Sequence, residues 1–147
     1  MNKFMKEAIK EAKKALKEDE VPIGAVIVLD GKIISRGHNK REKNQNAISH
    51  AEIIAIDKAC KKVGSWRLDG AEIYVTLEPC PMCAGAIANA RISKLIYGAS
   101  EKSSCDNLCE KILSSTRLNH KTIIEIDKES EEECSQLLTE FFKNKRN

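Results

Sequence analysis

Apolar residues fall at intervals of three and four along the first eighteen positions. Phe4, Met5, Ala8, Ile9, Ala12, Ala15 and Leu16 make one stripe between lysines and glutamates, which predicts an amphipathic helix ending near Glu18. The period then changes. Val21-Pro22-Ile23-Gly24 turns the chain into the apolar run Ala25 to Leu29. Asp30-Gly31 supplies a hairpin turn, and Lys32 to Arg36 returns as an antiparallel strand. The stretch from Gly37 to Ser49 is polar and reads as a loop long enough to be functional. Helical spacing resumes over His50 to Val63 through Ile53, Ile54, Ile56 and Ala59, with Gly64 suited to the C-terminal cap. Glu72 to Leu77 reads as a strand, Cys83 to Ala90 as a helix of small residues, and Lys94 to Gly98 as the next strand, the order expected of a parallel pair. A polar stretch, Ala99 to Asn107, leads to a short helix near Leu108 to Leu113 and a last strand over Thr122 to Ile126. The closing helix runs from Ser130 to Lys143. Ser130-Glu131-Glu132-Glu133 resembles a capping box, Leu137, Leu138, Phe141 and Phe142 form an apolar patch, and the tail through Arg146 is basic.

Composition narrows the class. A chain of 147 residues with 41% hydrophobic positions suits one domain, residues 1–147, around a single core. The longest wholly apolar run, Ala25 to Leu29, is far too short to span a bilayer, and the lysine-rich start lacks the apolar block of a signal peptide. A cytoplasmic protein with no membrane partner is expected. The net charge of +3 permits an RNA partner without demanding one. Six cysteines in a non-secreted chain point to metal binding and plain burial before disulfides. Cys60 and Cys134 read as packing residues. Cys105 and Cys109 stand at helical i, i+4 spacing, which could seat a second metal, but no nearby histidine supports it.

The chemistry concentrates in Thr76-Leu77-Glu78-Pro79-Cys80-Pro81-Met82-Cys83 and, upstream, His50-Ala51-Glu52. A Cys-x-x-Cys pair at a helix start puts two sulfurs within reach of one ion, where free backbone N–H groups favour thiolates. Pro81 fits that start, because the first helical position needs no N–H. Two cysteines and one histidine leave a tetrahedral position open, the pattern of catalytic zinc. Glu52 then reads as the general acid/base beside it. Residues i and i+2 of a regular helix point about 200° apart, so His50 is expected at or just before the helix start, with Glu52 in the first turn. Alternatives remain at this point. His38, Cys60 or Cys105 could close the site as a fourth ligand, and a lone Cys-x-x-Cys also serves redox chemistry or half of a structural zinc site.

His-x-Glu followed by Pro-Cys-x-x-Cys is similar to the signature of zinc nucleobase deaminases. The likeness extends over nearly the whole chain. Glu20-Val21-Pro22-Ile23-Gly24-Ala25-Val26, Gly37-His38-Asn39, Tyr74 to Cys80, Met82 to Ala86, Leu118-Asn119-His120 and Phe141-Phe142 resemble the bacterial tRNA adenosine deaminases, which convert wobble adenosine 34 to inosine. That resemblance implies a cytidine deaminase-like α/β fold, a three-layer sandwich with a mixed five-stranded sheet flanked by helices. It implies one zinc ion per subunit, held by His50, Cys80 and Cys83, with Glu52 as proton shuttle. It also implies a homodimer acting on the anticodon stem-loop of tRNA. Asn39 matches the residue whose amide contacts the purine, Ile23 and Ala47 lie where pocket walls are expected, and Lys102 and Arg146 are candidate RNA contacts.

The chain departs from the family in two places. Ala47-Ile48-Ser49 stands where Pro-Thr-Ala is usual, and Ser100 to Asn107 lacks the family's glycines, which predicts a different loop shape. Two other readings follow from the same residues: a free guanine or cytosine deaminase on this fold, and an inactive zinc-stabilised RNA-binding module.

Overall fold

The N-terminal stripe becomes helix α1 (Lys3–Lys17), started by Asn2, whose side chain accepts from the N–H groups of Phe4 and Met5. Strands β1 (Gly24–Leu29) and β2 (Lys32–His38) form the antiparallel hairpin, turning through Asp30 and Gly31, both at positive φ. The polar stretch after β2 is not all loop. Gly37 and His38 extend the strand, and Arg41–Asn44 form a one-turn helix, α2, closed by Gln45 in the left-handed region. The remaining elements are α3 (Ala51–Val63), β3 (Glu72–Leu77), α4 (Pro81–Asn89), β4 (Lys94–Ala99), α5 (Leu108–Leu113), β5 (Ile123–Ile126) and α6 (Glu131–Arg146). The closing helix is longer than its apolar pattern predicts. Lys143 and Lys145 belong to its last turns, and Lys145 pairs with Asp19. The computed structural model describes residues 1–101 and 107–146.

Sheet order is β2-β1-β3-β4-β5, antiparallel as far as β3 and parallel beyond it. Alternation along the strands feeds two cores. Ala25, Ile27, Ile73, Val75 and Leu95 face α3, α4 and α5, while Val26, Val28, Tyr74 and Ile96 face α1 and α6. The result is a three-layer cytidine deaminase-like fold. Ile73, Ile87 and Leu95 are fully buried, and each such side chain contributes about 1.5–3 kcal/mol.

Two glycines let helices close on the sheet beside the site. A Cβ on Gly24 would lie 2.1 Å from the Ala8 carbonyl oxygen of α1, and one on Gly37 would lie 2.5 Å from the Ala51 carbonyl oxygen of α3. Gly24 pairs with His38 and Ala25 with Gly37, so both approaches occur at one end of the hairpin. That end is where β3 and β4 finish, and binding crevices form at such strand ends.

Candidate active site

Two helix starts meet at the carboxyl end of β3. His50 is the N-cap of α3, with extended backbone (φ −81°, ψ 154°), so Glu52 lies in the first turn without the 200° separation of a regular helix. Cys80 is the N-cap of α4, likewise extended, and Pro81 occupies the first turn. Nδ1 of His50 lies 3.6 Å from Sγ of Cys80 and 3.7 Å from Sγ of Cys83, and the three ligand atoms all fall within 4.8 Å of one another. Tetrahedral ligands about 2.0–2.3 Å from a single ion stand roughly 3.5–3.8 Å apart, so the donor set fits zinc. Among the described residues this is the one His/Cys/Asp/Glu cluster so arranged. His38 turns away to Glu11 and Glu18, and Cys60 lies near the Trp66 carbonyl. Neither supplies a fourth ligand. Cys105 lies outside the described residues, and with it the suggested second metal pair; Cys109 is buried in the core.

The electrostatics follow from shared protons. The hydrogen bond from Cys83 brings the Cys80 thiol down to about 4, with His50 assisting against the effect of burial. Cys83 moves upward for the complementary reason: its bond to Cys80, reinforced by burial. His50 is raised, chiefly by its contact with Cys80. Glu52 is 4% exposed, and burial pushes its carboxyl up to about 7. Such perturbed groups in one cleft mark a functional site.

A cavity of about 370 Å³ opens above these residues. His50, Glu52 and Cys80 form its floor, and Asn39 and Ile23 stand in its wall. Oδ1 of Asn39 accepts from the Ala51 N–H at 2.8 Å, which leaves the Nδ2 donor for a ligand. Ala47 is exposed and does not line the cavity. Lys102 lies outside the described residues, and the Arg146 side chain is likewise not described.

Sequence reasoning missed several lining residues. Arg41 of α2 reaches the cavity, and Glu78 ties its back together. The Glu78 N–H donates to the Ala99 carbonyl, and its carboxylate accepts from the Glu101 N–H at 3.0 Å. Ser135, Leu138, Thr139 and Phe142 of α6 form the far wall. Their i, i+3, i+4, i+7 spacing was a readable signal, but neighbouring Leu137 and Phe141 offered a second apolar face, and these two turn to the interior.

A family model described as MafB19-like deaminase matches residues 1–146. The tRNA-specific adenosine deaminase of Bacillus subtilis (strain 168) is 51% identical over 144 residues, spanning 97% of this chain and 89% of that protein. Among solved structures, one from work on A-to-I editing by tRNA:A34 deaminases at the wobble position superposes with a TM-score of 0.85 at 42% identity, covering 92% of this chain and 98% of that one. A guanine deaminase from Bacillus subtilis superposes less completely. Its TM-score is 0.66 at 40% identity, over 72% of this chain and 69% of its own.

Proposed function

We infer that this chain, which belongs to the MafB19-like deaminase family, is a tRNA adenosine deaminase that hydrolyses the wobble adenosine at position 34 to inosine and ammonia. The observation that carries the reading is the His50, Cys80 and Cys83 cluster set beside buried Glu52 on the floor of one cavity. We read residues 1–147 as a single CMP/dCMP-type deaminase domain. His50, Cys80 and Cys83 would hold one zinc ion. Zinc in that position supplies Lewis acidity, which makes water a competent nucleophile near neutral pH.

The chain's own residues do the rest. Glu52 takes a proton from the attacking water and delivers it to N1 of the purine as the C6–O bond forms. It then takes the proton of the new C6 hydroxyl and passes it to the amine, which leaves as ammonia when the C6–N bond breaks. Asn39 donates its free Nδ2 hydrogens to the base, while Ile23, Leu77 and Leu138 flank the purine faces and exclude water. An anticodon loop suits such a cavity because its bases are already splayed and enter at low unstacking cost. Assembly as a homodimer fits the α4 face on which Met82 is exposed and a Cβ on Gly85 would meet nothing. Light scattering on the purified protein would report a monomer if that assembly is wrong. Among the described residues no helix is long and apolar enough to cross a membrane, and we place the enzyme with its tRNA in the cytoplasm.

The test is inosine formation at position 34 of an anticodon stem-loop by zinc-loaded protein. Glu52→Gln should retain zinc and lose about 10²–10⁴-fold in kcat. Turnover of free guanine or cytosine with none of the stem-loop would favour the rival deaminase reading. Zinc content with no deamination of any of these would favour the inactive RNA-binding module.

A further inference from the structure

Asn39 follows an edge strand. β2 has a single neighbour in the sheet, β1, and just past the strand the Asn39 and Lys40 N–H groups donate to the carbonyls of Ile23 and Ser49. The ring of His38, the last residue of the strand, is held by acids from α1 and its exit. Nδ1 of His38 lies 3.0 Å from Oε1 of Glu11, and Nε2 lies 2.8 Å from Oε1 of Glu18. Both glutamates come from elements remote in sequence, and His38 and Glu11 are almost wholly buried. Two residues beyond Glu18, buried Glu20 accepts from the N–H groups of Glu42 and Lys43 and so fixes α2, which carries Arg41. Lys43 also reaches Glu18, and Asp19 between them reaches Lys145 of α6. The segment Glu18 to Glu20 therefore ties together the end of β2, α2 and α6, three parts of the cavity rim.

We propose that His38 is a positioning residue for substrate binding: held at both ring nitrogens by Glu11 and Glu18, it keeps the end of the β2 edge strand in the register that aims the Asn39 amide at the base. His38 does not line the cavity, so it acts only through its neighbour. The carboxylates set both the height and the tilt of the ring, and the adjoining residue inherits that placement. A loose β2 end would let Asn39 swing off the Ala51 N–H and present its oxygen, an acceptor, where a donor is required. The proposal rests on the reading of Asn39 as a base contact.

Its test is a double-mutant cycle on the stem-loop substrate, with kcat, KM, zinc content and Tm read for each variant. His38→Phe should raise KM roughly tenfold with kcat changed less than about twofold, and His38→Gln, which keeps one donor, should recover part of the loss. In an Asn39→Ala background, His38→Phe should add less than about a twofold further rise. Equal losses in the two backgrounds would overturn the proposal, as would a fall in kcat at constant KM in folded, zinc-replete His38→Gln. An Asn39→Ala enzyme with unchanged KM would instead remove the base contact itself, a failure distinguishable from the other two.

Discussion

The two helical layers contribute to the cavity in different ways. From the α3/α4 side come His50, Cys80 and Cys83, which could hold a metal ion, and the proposed acid/base Glu52, all within one turn of a helix start. From the α1/α6 side come Leu138, Thr139 and Phe142 in the wall, and the glutamates that hold His38 behind it. The first group is placed by local backbone geometry, an extended N-cap leading into a helix, and it is largely buried. The second is placed by how one long helix docks on the sheet, and Phe142 remains 46% exposed. The proposed chemistry therefore sits where a short segment of chain dictates the geometry. The proposed recognition sits where a surface can change without disturbing that geometry.

Breaking the first side should cost the most. Cys83→Ala is expected to bring zinc from about one per chain toward none and to take inosine formation below detection. Metal analysis beside the stem-loop assay checks it, and full activity without metal would dissolve the distinction between the layers. On the second side, Phe142→Ala should raise KM by roughly five- to a hundredfold, the value of one base stacked on an aromatic ring, and leave kcat nearly unchanged. Steady-state kinetics decide this, and an equal fall in kcat would place Phe142 with the chemistry.

The smallest effect concerns stability. Burial by itself raises the Glu11 carboxyl, but hydrogen bonds from Lys14 and His38 outweigh it and hold the group below its ordinary 4.5. A lowered folded pKa contributes stability that is complete above 4.5 and lost as pH falls through the folded value. Glu11→Gln should thus be less stable than the parent at pH 7, with the gap in Tm closing below pH 4.5. Melting curves across pH 3 to 7 test this, and parallel profiles would show that Glu11 contributes no linked proton.

Helix and strand identity was legible because each element carries its own period: the stripe of α1, the β1 run, and the Asp30-Gly31 turn. The candidate metal-binding residues were legible for a related reason. Cys80-Pro81-Met82-Cys83 encodes a helix start and two candidate ligands in four residues, and the geometric conflict between His50 and Glu52 places His50 at an N-cap. The α2 turn was not legible, because Arg41 to Asn44 has no apolar period and its cap is Glu20, from another segment.

What the sequence by itself determined is the order of elements and the candidate site of His50, Cys80 and Cys83 with the neighbouring Glu52 carboxylate, since these depend on interactions a few residues apart. Only the tertiary structure decided which face of α6 meets the cavity, that Ala47 stays outside it, and that Glu11 and Glu18 grip His38. Those outcomes depend on packing between segments distant in the chain, through contacts such as Gly24 on α1 and Gly37 on α3, where the absence of a side chain leaves no periodic signal.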